Sequence, residues 1–253
     1  MSTYSIYFSP TQGTKKVTNA LASAFEGYRE IELCKADDGS TLPVFTEQDV
    51  CIIGAPAFGG RVPAFAIERI KKLEGNQARA VLAAVYGNRA YEDTLIELYD
   101  TLKDCGFRCI GAVAAIAEHS IMRQFAAGRP DEQDITELEE FSKELSEKLA
   151  GPKGGEEIQV PGNRPYKVFN GSLMKPFTPK ACSNCGICVK ACPAEAISSE
   201  APYTTDPEKC FSCMRCIQVC PENARQVNPD MVNGLVQKMQ KMLEVPKKNE
   251  LFI

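Results

Sequence analysis

The chain has 253 residues, 44% of them hydrophobic, and a formal net charge of −4 from 29 Lys and Arg against 33 Asp and Glu. That apolar content can bury a core in one large or two ordinary domains, and the acidic balance argues against nucleic-acid binding, which requires a basic face. One histidine and no tryptophan among twelve cysteines leave little room for histidine-ligated zinc or a histidine triad.

From the N-terminus the pattern alternates strand and helix. "TYSIYF" (3–8) reads as a strand, and "KKVTNALASAF" (15–25) places Val17, Ala20, Leu21 and Ala24 on one helical face. "REIELC" (29–34) is a second strand. The following "KADDGSTLPVFTEQ" is too broken by Gly and Pro for a full helix and predicts a reduced crossover. "DVCIIGAP" (49–56) is a continuous apolar run of the kind buried parallel strands show. Then come helix 63–73, strand 78–87, helix 90–105, strand 107–116 and helix 134–149. "AVLAAVYG" within the fourth strand is the most apolar stretch, far short of the ~20 residues of a membrane span. "MSTYSIYF" lacks the pattern of a signal peptide. A cytoplasmic protein is expected, with its cysteines reduced rather than paired.

Five strands alternating with helices predict an α/β fold with a parallel sheet covered on both faces. Ligands of such sheets bind beyond the carboxyl ends of the strands. Four loops fall on that rim. "SPTQGTKK" (9–16) offers hydroxyls and a helix start suited to a phosphate; it lacks the spacing of a Walker loop or a dinucleotide fingerprint. Lys15 and Lys16 read as solvated helix residues. The others are "APAFGGRVP" (55–63), "YGNRAYED" (86–93) and "AEHS" (117–120).

Taken together, Ser9-Pro-Thr-Gln-Gly-Thr14, Gly54 to Pro63 and Tyr86-Gly-Asn-Arg-Ala-Tyr91 resemble the flavodoxin-like family over about residues 1–150. The resemblance implies strand order 2-1-3-4-5 and bound FMN. Ser9, Thr11, Gln12, Gly13 and Thr14 would face the phosphate, with Gln12 standing where the family usually has Gly. Pro56, Ala57, Phe58 and Gly59, and Tyr86, Gly87, Asn88, Arg89 and Tyr91, would surround the ring. Phe58 and Tyr86 would stack on it or border it. Gly59, Gly60 and Gly87 would let backbone approach it closely, and Asn88 and Arg89 would bond its polar edge. His119 lies on the same rim and is read either as a flavin neighbour or as a packing residue.

Residues 151–176 are rich in Gly and Pro, which marks a boundary. Ile158, Val160, Tyr166, Val168 and Phe169 predict a linker packed on one domain. Next come Cys182, Cys185, Cys188 and Cys192, matched 28 residues on by Cys210, Cys213, Cys216 and Cys220, with Pro after each fourth cysteine. A [4Fe–4S] cube needs one thiolate per iron. A tight Cys-x-x-Cys-x-x-Cys loop reaches three corners and leaves the fourth to a distant cysteine. Structural zinc, the competing reading, pairs its ligands and separates the pairs, a poor match. The segment 177–228 resembles a bacterial two-cluster ferredoxin. In that family the cysteine before proline serves the other cluster, which assigns Cys182, Cys185, Cys188 and Cys220 to one cluster and Cys210, Cys213, Cys216 and Cys192 to the second. Cys34, Cys51 and Cys109 read as small buried hydrophobes. After the clusters, 229–253 carries Val232, Leu235, Met239 and Met242 at helical spacing, an expected docking helix with a tail.

The expectation for the whole chain is a flavodoxin-like five-stranded parallel sheet (order 2-1-3-4-5) followed by a small α+β two-cluster ferredoxin domain. This resembles fused flavodoxin–ferredoxin carriers and implies low-potential electron transfer between FMN and two [4Fe–4S] clusters. The expected partner is another redox protein, with neither nucleic acid nor membrane. Two alternatives stay open: a flavin-dependent reductase fed by the clusters, and a flavin-free regulatory protein, favoured by Gln12. Coupling within one protomer or across a homodimer is also open.

Overall fold

The computed structural model describes residues 1–34, 42–152, 155–179 and 182–253. Much of the expected reduced crossover, 35–41, lies outside them. The elements run β1 (Thr3–Tyr7), α1 (Gly13–Ala22), β2 (Arg29–Glu32), β3 (Val50–Pro56), α2 (Ala64–Ile70), β4 (Arg79–Tyr86), α3 (Thr94–Asp104), β5 (Arg108–Ile116), α4 (Glu132–Ala150), α5 (Ile187–Ala191), α6 (Arg215–Gln218), α7 (Pro229–Leu243) and β6 (Glu250–Phe252).

The sheet order is β2-β1-β3-β4-β5-β6. The first five strands are parallel in the order 2-1-3-4-5, the flavodoxin-like doubly wound arrangement. Five strands were expected and six form among the described residues. The tail returns to the sheet, and β6 pairs antiparallel with β5, setting Ala112 opposite Phe252 and Ala114 opposite Glu250. The side chain of Asn249 holds it there. Its Oδ1 accepts the Ile116 N–H at 2.9 Å, while its Nδ2 donates to Asp134 and Glu137.

Strand alternation divides the core. Ile6, Ile53, Leu82 and Ala114 face α2 and α3, where Ile70, Leu95, Leu98 and Leu102 are fully buried. Ile52, Val81, Val85 and Val113 face α1 and α4 through Val17, Leu21, Leu138 and Leu145. Strands buried on both faces are the reason β3, β4 and β5 read as unbroken apolar runs. α4 begins in a capping box, with Asp131 accepting from the Asp134 N–H and Asp134 reciprocating.

The linker lies along α3. Asp93, at the start of that helix, accepts from the Asn163 and Lys167 backbone N–H groups at 2.8 and 2.6 Å. Arg164 and Tyr166 both bond Asp100, and the Arg61 guanidinium sits over the Tyr166 ring at 4.9 Å. Beyond the linker, the segment that carries the eight cysteines has little regular structure. It consists of the short helices α5 and α6, closed by a single bridge between Phe177 and Gln226. Among the described residues no helix is long and apolar enough to cross a membrane.

Candidate cofactor sites

The two cysteine loops repeat one backbone. Asn184 and Ser212, Gly186 and Met214, and Glu195 and Asn223 are partners at the 28-residue period, and all six have positive φ. Hydrogen bonds repeat with them. The N–H groups of Asn184 and Ser212 lie 3.4 Å from Sγ of Cys182 and Cys210. Those of Ala196 and Ala224 lie 3.3 Å from Sγ of Cys192 and Cys220. N–H groups aimed at sulfur are a means by which a protein stabilises added charge on a cluster.

Each loop borders its own void. One is lined by Cys182, Cys185, Cys188 and Cys220, the other by Cys192, Cys210, Cys213 and Cys216. The fourth cysteine of each motif therefore stands with the other motif's first three. Among the described residues no three ligating side chains converge as a single metal ion requires; a cube puts each thiolate on a separate iron and spreads its ligands more widely. Burial pushes the Cys216 thiol up to about 11 and raises Cys213, Cys210 and Cys188 as well. Thiols held that way are ionised by a metal rather than by solvent. The guanidinium of Arg225, only 3% exposed, lines the first void and favours the thiolates of Cys188 and Cys216. The donor set, the voids and the N–H···S bonds fit cubane clusters. Cys34, Cys51 and Cys109 are buried, each thiol pushed upward by burial, and lie in the sheet layer.

Beyond the carboxyl ends of the strands lies a mainly apolar cavity of ≈ 720 Å³, within the ~300–1,000 Å³ range of cofactor sites. The structure brings together on its wall Thr11, Gly13, Thr14, Pro56, Ala57, Phe58, Gly59, Tyr86, Gly87, Arg89 and His119. Gln12 supplies no side-chain cap to α1 and Ser9 Oγ takes the Lys15 N–H; the Gly13 and Thr14 N–H groups lie at the Thr11 end of the cavity with anion-binding potential.

Four expected residues stand off that wall. Ser9 is buried, with its Oγ accepting the Lys15 N–H at 2.9 Å. Gln12 is exposed at φ 69 in the turn before α1. Asn88, expected at the ring's polar edge, instead donates to the carbonyls of Leu243 and Val245 at 2.5 and 3.2 Å. Tyr91 meets the Tyr86 ring edge-on at 5.3 Å and bonds Glu250. Arg89 lines the cavity while paired with Glu92. The glycines make room for protein. A Cβ on Gly59 would strike the Phe169 ring, one on Gly60 would strike Glu92, and one on Gly87 would strike His119. His119 is half-buried, its Nδ1 accepting from the Ile121 and Met122 N–H groups at 3.2 and 3.1 Å. Burial lowers its imidazole to about 4, so it is neutral at pH 7.

Sequence reasoning missed the roof. Phe169, Leu173 and Met174 from the linker, Phe211 and Ser212 from the second cysteine loop, and Leu235 and Met239 from α7 close over the cavity. The amphipathic spacing of α7 announced a docked helix but not what it covers. Its inner stripe is Val232, Leu235, Val236, Met239 and Leu243, packed on Met122 and Phe125. Met242, expected on that stripe, is 50% exposed, and Leu243 is buried in its place, held by the Asn88 bond to its carbonyl.

Residues 181–224 match the family described as "4Fe-4S dicluster domain". Comparison with curated proteins found no match. Solved structures similar to the N-terminal part include a flavodoxin from the domain Archaea, 12% identical over 60% of this chain and 100% of that one, TM-score 0.39. A Streptococcus pneumonia flavodoxin is 17% identical over 58% and 99%, TM-score 0.41. Rubredoxin oxygen:oxidoreductase from Desulfovibrio gigas is 18% identical over 59% of this chain and 37% of that one, TM-score 0.41. The flavodoxin-like assignment follows from the strand order itself. One chain thus joins a flavodoxin-like doubly wound α/β layer to a segment, 181–224, that matches the 4Fe-4S dicluster domain.

Proposed function

We propose that this protein is a low-potential electron carrier that holds FMN in the strand-end cavity and two [4Fe–4S] clusters in the four-cysteine voids. The observation that carries the reading is the juxtaposition in one chain of two such voids with an apolar cavity walled by Tyr86 and Phe58. When bound, a flavin exchanges one or two electrons and a cluster exchanges one, so the fusion joins two-electron to one-electron chemistry without a diffusional encounter.

The residues divide the work. Thr11, Thr14 and the start of α1 receive the phosphate, Phe58 and Tyr86 border the ring, and the roof from the linker and α7 excludes water. Cys182, Cys185, Cys188 and Cys220 hold one cluster, and Cys192, Cys210, Cys213 and Cys216 the other. A carrier is favoured over a reductase because the carboxylate and the imidazole on the cavity wall are already engaged. Glu118 accepts from Arg123 and the Gly128 N–H, and His119 accepts from two backbone N–H groups. The partner is a second redox protein, and a thiol-reducing, cytoplasmic setting suits the free cysteines.

Anaerobic purification followed by flavin release and by iron and sulfide assay tests the proposal. One FMN and two cubes' worth of iron and sulfide per chain are expected. A colourless, metal-free chain after reconstitution overturns it.

A further inference from the structure

The second cysteine loop does more than border its own void. Phe211, the residue after Cys210, also lines the strand-end cavity, and among the described residues it alone lines both. Its ring stacks on Phe65 at 4.7 Å and faces Phe58 and Phe8 at 6.3 and 6.1 Å. Beside it, Ser212 is buried and donates its Oγ to the Ser172 carbonyl at 3.2 Å. Farther along, Arg215 pairs with Glu32, the last residue of β2, at 2.7 Å and reaches the Ser9 carbonyl at 3.4 Å. Ser9 in turn fixes the start of α1. One seven-residue loop, 210–216, is therefore fastened to the ring end and to the phosphate end of the same cavity.

We propose that Phe211 is a flavin-contacting wall supplied by the iron–sulfur half, so that the flavin site is complete only when the loop of Cys210, Cys213 and Cys216 is folded around its cluster. The proposal rests on the reading that the cavity takes FMN. Its physical basis is the condition of the loop. Ser212 and Met214 hold φ of 63° without being glycine, a conformation that surrounding structure must enforce. Cys213 and Cys216 are buried thiols that a cluster, by binding them as thiolates, locks in place. Without the cluster the loop loses the bonds that enforce its shape, and Phe211 leaves the wall. The other loop contributes nothing to that wall, and its Cys185 is exposed.

The test is FMN titration of the full-length chain under anaerobic conditions, followed by flavin fluorescence, with iron and sulfide assayed on each sample. Phe211→Ala should keep its iron and bind FMN about tenfold more weakly, the scale of one lost aromatic contact. Phe211→Trp should restore binding. Cys213→Ala should weaken FMN at least as much, while Cys185→Ala, which also loses a cluster, should leave it unchanged. Unchanged FMN affinity in iron-replete Phe211→Ala overturns the proposal, as do equal effects of Cys213→Ala and Cys185→Ala. If Phe211→Ala loses iron, the two cysteine variants decide. A wild-type chain that loads both clusters yet takes no FMN overturns the FMN reading itself rather than the role of Phe211 alone.

Discussion

At the residue scale, Thr14 and His119 show how little a side chain's type reveals without its surroundings. Thr14 is 3% exposed and lines the cavity at the start of α1. Thr14→Val keeps its shape and removes the hydroxyl, which should weaken FMN by about fivefold, the scale of one hydrogen bond of ~1 kcal/mol. Fluorescence titration reads this directly. His119 is neutral because burial lowers its imidazole from 6.5 to about 4. The unfolded chain then takes up that proton first as pH falls. Stability from this residue is intact above about 6.5 and declines toward 4, by at most about 1.4 kcal/mol per pH unit. His119→Asn keeps an acceptor for the Ile121 and Met122 N–H groups and does not titrate. Urea unfolding at a series of pH values should show a shallower acid decline for the variant, and matching slopes would remove His119 from the account.

At the scale of elements, the linker and the C-terminal segment are held by side chains whose partners are remote in sequence. Burial alone would raise the Asp93 carboxyl, but N–H groups of Lys167 and Asn163 hold it below the usual range. Its contribution is therefore present above ordinary carboxylate values and lost in acid. Asp93→Ala should cost about 1–3 kcal/mol in urea unfolding and make residues 163–171 the first site of limited proteolysis. Unaltered cleavage would mean that the Arg164 and Tyr166 bonds to Asp100 suffice. The apolar periodicities of β3, β4, β5 and α3 made those elements legible in the sequence because each is decided by burial on a regular lattice. The three-residue β6 was not legible. Nothing in "ELF" marks an edge strand, and its position comes from Asn249 meeting Ile116, Asp134 and Glu137.

At the scale of the molecule, each void draws three cysteines from one motif and one from the other, so the two cysteine motifs are interlocked. Cys188→Ala should remove one cluster and leave the other, roughly halving iron and sulfide per chain. Retention of the full complement would reject the partition. The void of Cys213 and Cys216 lies against the flavodoxin-like layer through Phe211 and Arg215, whereas the void of Cys185 reaches the surface.

Spacing along the chain determined the iron–sulfur chemistry, because a cube's bond lengths restrict how far apart its thiolates stand and a short loop must obey them. The alternation of apolar runs likewise determined the doubly wound sheet. Only the tertiary structure decided which residues roof the cavity, that Asn88 serves the C-terminal segment rather than the ring edge, and that Phe211 joins the two halves. Those outcomes depend on contacts between segments more than 150 residues apart in sequence, and no local pattern encodes which distant surface a side chain will meet.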